Sequence, residues 1–384
     1  MVNKDNSIRR HYFDWAASAP IACADYSSLF GNPSSQHSEG RAAKLALEDA
    51  RRRCAVVLNV PVDTLYFTSG GTESNSIALF ANLVKKGQGR IISSPAEHSS
   101  VREAMQTLEK MGKPTGSVSV DSYGRVTAEN FAKALEKYGD ARFASVMAVN
   151  NETGAVTDIA SLRDVIRKNP SPVHLHCDLV QAVGKIPVDI QNWGIDSASI
   201  SAHKISGPRG IGLLYLRRPM EVFYTGGGQE GGIRGGTENT QGALSLADCL
   251  EKYCGAETVQ AEYARAKERW NKLITSLVKM ERCTIIPAHR AKTENEDAFS
   301  PYILQVAFKD IPGEVMARAL DDLGFAVSTG SACSSSSPER PVLLAMGIDE
   351  KLRLEGIRIS QGRQTTDEQI DLLLEAIAEV LKFL

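Results

Sequence analysis

The chain has 384 residues, of which 42% are hydrophobic and 23% charged, and a net charge of −2. That is enough apolar sequence for a large core and, at this length, two domains. The balance of charge gives no electrostatic case for nucleic acid or an anionic membrane, no apolar run approaches the ~20 residues that span a bilayer, and residues 1–10 lack the apolar centre of a signal peptide, so the cytoplasm is the expected compartment.

Between residues 65 and 217, short β-rich runs alternate with helical ones. Strands are predicted over 65–68, 90–93, 118–121, 144–150, 173–178, 197–201 and 210–216, and helices over 73–86, 99–111, 128–138 and 159–168. Such alternation implies an α/β fold: a mixed, mostly parallel sheet covered by helices, with ligands beyond the carboxyl ends of its strands. A long amphipathic helical region follows Gly242 and runs through 262–280, with Trp270, Leu273, Ile274 and Leu277 at core-like spacing. A smaller α+β unit ends the chain, with strands over 303–308 and 356–359 and helices over 312–323 and 367–383. The Gly/Ser-rich stretch 328–338 reads as a mobile loop.

The seven cysteines are odd in number and irregularly spaced, and no C-x-x-C pair occurs, which argues against a disulfide framework or a zinc site. Cys54, Cys249 and Cys254 fall in predicted helices and read as small apolar fillers. Cys333, inside Ser328-Thr329-Gly330-Ser331-Ala332-Cys333-Ser334, is different. An exposed thiol on a polar loop is a poor structural element and a good nucleophile once ionised.

Several segments carry chemistry. Thr68-Ser69-Gly70-Gly71-Thr72-Glu73 joins a strand to a helix, where close backbone approach and free N–H groups suit a phosphate; the plainer reading is a glycine turn with Thr72 as an N-cap. His98 can stack on a flat aromatic group and exchange protons, or simply cap a helix. Asn151, in Asn150-Asn151-Glu152-Thr153-Gly154, can donate to a cofactor hydroxyl or only build a turn. Asp178 ends an apolar strand, where an unpaired carboxylate is costly and a buried pyridinium would offset that cost; Gln181 follows three residues on. Ser201-Ala202-His203-Lys204 places a lysine at a strand exit beside a hydroxyl and an imidazole, which suits a Schiff-base lysine with pyridoxal phosphate; a surface lysine in a turn is the alternative. The run 226–237, dense in glycine and containing Arg234 and Thr237, reads as a phosphate-contacting loop or as a flexible linker. Arg358 can clamp a carboxylate bidentately or sit in a structural ion pair.

In this order the motifs resemble the class V aminotransferase family of fold-type I pyridoxal phosphate enzymes and, within it, cysteine desulfurases of the group I (NifS/IscS) type. The resemblance runs from Tyr12-Phe13-Asp14 to the final helix. It implies a large cofactor-binding domain over 14–255 and a small α+β domain from 1–13 and 256–384 that carries the cysteine loop. It implies that Lys204 holds pyridoxal 5'-phosphate covalently and removes the Cα proton. Asp178 would pair with the pyridine nitrogen, Gln181 with the phenolic oxygen, and His98 would stack on the ring and assist proton transfer. Gly71, Thr72, Ser201, His203 and Thr237 of a partner subunit would hold the phosphate. Asn32, Asn151 and Arg358 would contact the substrate, L-cysteine, and Cys333 would take its sulfur as a persulfide, releasing alanine. The 14 residues from Cys333 to Gly347 resemble the long loop of group I enzymes.

The resemblance also implies a homodimer that supplies an iron–sulfur scaffold or another sulfur acceptor. The chain departs from the pattern in three places. Asp14 and Phe30 stand only 16 residues apart, Ala202 replaces a frequent glycine, and Leu384 ends the chain without the extension that housekeeping members use with a scaffold. A selenocysteine lyase or other class V enzyme, and a non-catalytic sulfur carrier, are the alternatives.

Overall fold

A computed structural model of the chain describes residues 9–85, 87, 89–292, 297–330 and 340–384. Its strands are, in order, β1 (His11–Tyr12), β2 (Leu65–Thr68), β3 (Arg90–Ser93), β4 (Thr115–Ser117), β5 (Ala141–Met147), β6 (His174–Asp178), β7 (Ser197–Ser201), β8 (Gly212–Leu216), β9 (Cys283–Ile286), β10 (Ile303–Phe308), β11 (Phe325–Ala326) and β12 (Gly356–Ser360). Seven of them form one sheet in the order β2-β8-β7-β6-β5-β3-β4. β8 runs antiparallel to both neighbours and every other pairing is parallel. This is the mixed, mostly parallel sheet that the alternating pattern implies. Apart from the edge strand β4, the strands are buried along nearly their whole length, as a sheet covered on both faces requires. A three-stranded antiparallel sheet, β12-β10-β9, lies nearer the end of the chain. The helix Ala256–Val278 contributes Trp270, Leu273 and Leu277 to its core, all at most 1% exposed.

Two predicted strands move. The run 118–121 gives way to β4, three residues earlier, because β4 pairs with β3 only as far as Ser93. The run 144–150 becomes β5, whose ladder with β6 closes at Met147 opposite Asp178; Ala148–Asn150 stay buried but leave the ladder. The helical region after Gly242 is two helices, Thr240–Tyr253 and Ala256–Val278, separated at Cys254-Gly255.

The first helix, α1 (Ser38–Leu58), packs against Thr240–Tyr253 and anchors the glycine-rich run. Arg51 of α1 donates from Nη1 and Nη2 to the two carboxylate oxygens of Glu230, at 2.7 and 2.8 Å, and the Phe67 N–H of β2 donates to Glu230 at 2.7 Å. The Glu230 side chain is 1% exposed. The run is therefore tied to the sheet and is not a free linker. Its two arms meet at glycines, since a Cβ on Gly226 would lie 2.6 Å from Gly235 Cα. Removing the cation should leave a buried carboxylate unpaired, a loss of about 3–5 kcal/mol. Arg51→Ala is thus expected to unfold at markedly lower urea concentration than the wild type, and an unchanged urea midpoint would contradict the anchor.

Candidate active site

The carboxyl ends of β2, β3, β5, β6 and β7 deliver their following residues to one cavity of about 180 Å³. After β2 the chain passes through Gly70, which has φ +150° and caps helix α2 (Gly71–Val84). Gly71 and Thr72 line the cavity from the first turn of α2, so Thr72 lies inside the helix and is not its N-cap. After β3, His98 caps helix α3 (Ser99–Lys110): its Nδ1 accepts from the Ser100 N–H at 3.1 Å, and the ring also lines the cavity. The capping reading of this histidine holds, and its ring stands in the cavity wall as well.

Asn151 follows β5, Asp178 and Gln181 end and follow β6, and Ser201, His203 and Lys204 come from the end of β7 and the turn beyond it; all of them line the cavity. Arg358 of β12 closes it from the other sheet.

Three expected residues are not in that lining. Asn32 is exposed, and its side chain accepts from the Ser34 N–H at 2.9 Å. Thr237 is exposed in the glycine-rich run. Cys333 lies outside the described residues.

Each functional group is held by named partners. Lys204 Nζ donates to the carbonyl oxygens of Ala16 and Ala17, at 2.5 and 2.8 Å. Asp178 accepts from the Val180 N–H at 2.9 Å and from Asn75 Nδ2 at 2.8 Å. Gln181 Nε2 donates to Ala16 O at 2.9 Å, while its Oε1 accepts from the buried Lys185. Arg358, 1% exposed, donates to Asp14 Oδ1 at 2.8 Å and to Asn151 O at 3.0 Å.

The donor set fits pyridoxal phosphate. Among the described residues, Arg358 Nε and Asn151 Oδ1 are buried at this cavity without a hydrogen-bond partner, so a ligand has groups to satisfy. At the α2 end, a Cβ on Gly70 would lie 3.5 Å from Ser201 Oγ, so glycine keeps the space beside that hydroxyl open. Burial, followed by the cations Lys204 and Arg209, pushes His203 to about 4, which marks a corner whose field favours an anion such as a phosphate. At the other end the Asp178 carboxylate offers a negative group to a ring nitrogen.

Behind Asp178 lies a second carboxyl, Glu97, 1% exposed, which accepts from the Met147 N–H at 2.7 Å. Burial, with the charge of Asp178 next, pushes its pKa well above the ordinary carboxylate range. Glu97 is therefore the carboxyl expected to keep its proton near neutral pH. A carboxyl with a raised folded-state pKa contributes stability below its unfolded value of ~4.3 and loses it as pH rises through the folded value. Glu97→Gln removes that loss. The variant should match the wild type near pH 4 and be the more stable protein at pH 8, measured by urea unfolding; a gap that did not widen with pH would contradict a protonated Glu97.

Sequence reasoning missed Ala16, Ala17, Asn75, Ser100 and Lys185. Ala16 and Ala17 act through backbone carbonyls, which leave no mark in side-chain identity. Asn75 had a signal: it stands one helical turn beyond Thr72, a polar residue on the face of α2 that meets the sheet.

A larger cleft of about 880 Å³ opens elsewhere, lined by Lys85, Arg142, Arg163, Arg167, Arg217 and Arg218 among others. Size alone would choose it, but none of Asp178, Lys204 and Arg358 lines it.

Comparison with known proteins converges on one family. The model for "Aminotransferase class-V" matches residues 12–373. The chain is 36% identical over 383 residues to "Cysteine desulfurase IscS" of Vibrio cholerae, covering 95% of this chain and 91% of that protein. It is 36% identical over 375 residues to "Cysteine desulfurase, mitochondrial" of Saccharomyces cerevisiae, covering 94% of this chain and 71% of that one. A solved structure described as "NIFS-LIKE PROTEIN" superposes with a TM-score of 0.86 at 34% identity, covering 98% of this chain and all of the other.

Proposed function

The chain belongs to the class-V aminotransferase family, and from that premise we propose that it is a pyridoxal-phosphate-dependent cysteine desulfurase, converting L-cysteine to L-alanine and leaving the sulfur as a persulfide on Cys333. The observation that carries this reading is the convergence of Asp178, Lys204 and Arg358 on one cavity. When bound, pyridoxal phosphate supplies an electron sink for the carbanion left by loss of an amino acid's Cα proton.

The chain's own residues do the rest. Lys204 holds the cofactor covalently and takes the Cα proton at Nζ. Asp178 keeps the ring nitrogen protonated, a role that needs the carboxylate ionised. Gln181 would meet the phenolic oxygen, and His98 would lie against the ring and move protons. Gly71, Thr72, Ser201 and His203 receive the phosphate, and Asn151 and Arg358 receive the substrate, Arg358 through its carboxylate. Cys333, as thiolate, attacks the substrate sulfur. The new S–S bond forms as the substrate's C–S bond breaks, the carbon takes a proton, and alanine leaves.

Two copies of the chain complete the site in this proposal. Thr237 is exposed and outside its own cavity, which favours a role in the phosphate site of a second copy, and Asn32 is placed toward substrate on the same basis. We assign the large unit to residues 14–255 and the small one to 1–13 and 256–384. No described helix is long and apolar enough to cross a membrane; a cytoplasmic enzyme feeding iron–sulfur assembly or a related sulfur acceptor is the setting we propose. The test is alanine release from L-cysteine by the purified protein loaded with pyridoxal phosphate. Alanine formed in step with enzyme-bound sulfur is expected, and a loaded protein that forms none would overturn the reading.

A further inference from the structure

Behind the cavity, a line of hydrogen bonds crosses the sheet. Asn75 Nδ2 donates to Asp178 Oδ2 at 2.8 Å and to Ser100 Oγ at 2.9 Å. Asn75 Oδ1 lies 2.9 Å from His176 Nε2. His176 Nδ1 lies 2.8 Å from Ser197 Oγ, and that oxygen lies 2.7 Å from His174 Nε2. On the other branch, Ser100 Oγ lies 2.8 Å from His98 Nδ1.

The direction of every bond follows from one end. An ionised carboxylate only accepts, so Asn75 must turn its NH2 toward Asp178 and its carbonyl oxygen toward His176. That oxygen accepts, so His176 carries its proton on Nε2. Its Nδ1 then accepts from the Ser197 hydroxyl, and the Ser197 oxygen accepts from Nε2–H of His174. Both rings are neutral: burial pushes His176 to about 3 and His174 to about 4. Both stack on Phe143, with centroids 6.1 and 4.8 Å away. On the second branch, the Ser100 oxygen accepts from Asn75, and its hydroxyl and backbone N–H both point at His98 Nδ1. His98 therefore carries its proton on Nε2.

We infer that Asn75 is a positioning residue at the fork of a one-directional hydrogen-bond chain, His174 to Ser197 to His176 to Asn75, that fixes Asp178 as an acceptor and His98 as its Nε2–H tautomer. This rests on the reading of Asp178 and His98 as the groups that meet the cofactor ring. The chain gives one helix residue control over both: the charge that faces the ring nitrogen and the protonation of the imidazole beside the ring. Aligned donors polarise one another, so loss of one member weakens the rest.

The test uses the full-length holoprotein with ¹⁵N-labelled histidine rings. At pH 7, His174 and His176 should each show the Nε2–H pattern with a bare Nδ1. An imidazolium or an Nδ1–H tautomer at His176 would overturn the chain. In Asn75→Ala, His176 should lose its single tautomer, and affinity for pyridoxal phosphate, read by equilibrium dialysis, should fall about ten- to a hundred-fold, the effect of losing one hydrogen bond to a charged group. His176→Phe, which keeps a flat ring, should weaken cofactor binding in the same direction, and His176→Gln, which restores an N–H donor, should recover part of it. Wild-type affinity in both Asn75→Ala and His176→Phe would sink the positioning role. A wild type that takes up no pyridoxal phosphate would sink the proposed function, while the tautomer spectrum of the same sample still decides the chain.

Discussion

Lys204→Ala is expected to slow alanine release from L-cysteine by about 10⁴-fold or more, because one residue supplies both the covalent attachment and the base. The amine sits at the end of β7, held by the carbonyls of Ala16 and Ala17. Those two acceptors hold Nζ at the wall of the cavity. Among the described residues, no other lysine lines the cavity. Lys185 is the nearest substitute by sequence, yet it is buried and bonded to Gln181, and burial followed by the charge of Lys204 pushes its pKa well down. Borohydride reduction followed by peptide mass analysis should place the cofactor on Lys204 in the wild type and nowhere in the variant. A variant that retained more than a few per cent of the wild-type rate would refute the assignment.

Cys333→Ser should form no persulfide and should lose alanine formation by about 10³-fold or more, the scale seen when a nucleophile is removed. Loading with pyridoxal phosphate and binding of L-cysteine should stay as in the wild type. Burial pushes the thiols of Cys54, Cys249, Cys254 and Cys283 up to about 12 and raises Cys177 as well, so none of these is a thiolate near neutral pH. And Ser328 is fastened beside the cavity: its N–H donates to Arg358 O at 3.1 Å, and the Arg358 N–H donates back to Ser328 O. Cys333 is three residues past Gly330, a span of ~11 Å at full extension. Selenide release that survives in Cys333→Ser while sulfide release is lost would move the assignment to a selenocysteine lyase; full sulfide output would remove Cys333 from the mechanism.

Much of this was legible in the sequence. β2, β3, β7 and β10 occupy the predicted residues: β2, β3 and β10 are short, largely apolar runs, and β7 alternates serine with apolar residues. β5 was read three residues late because Ala148 and Val149 are as buried and apolar as the strand itself; hydrophobicity cannot mark where a ladder ends inside a covered sheet. Site residues that follow strand ends were legible because sheet topology sends those ends to one place. The supports behind them were not. A buried Asn75 and a solvent-facing asparagine look the same in a sequence, and the value of Asn75 lies in groups 25 and 103 residues away along the chain.

The backbone pairing between Ser328 and Arg358 has a consequence for how such a chain could diverge. The strand proposed to bind the amino acid's carboxylate also pairs with Ser328, five residues before Cys333 in the sequence, so in the proposed reaction substrate and nucleophile share one anchor. Delivery of the sulfur atom is then an intramolecular encounter, governed by an effective concentration and not by diffusion. In the proposed reaction, the five positions from Ser328 to Cys333 belong to the transfer step and the seven from Cys333 to Arg340 to the passage of sulfur to an acceptor. Changes in length on the two sides of Cys333 should therefore be separable: those before it should alter the rate of sulfur extraction, and those after it should alter which acceptors can be served.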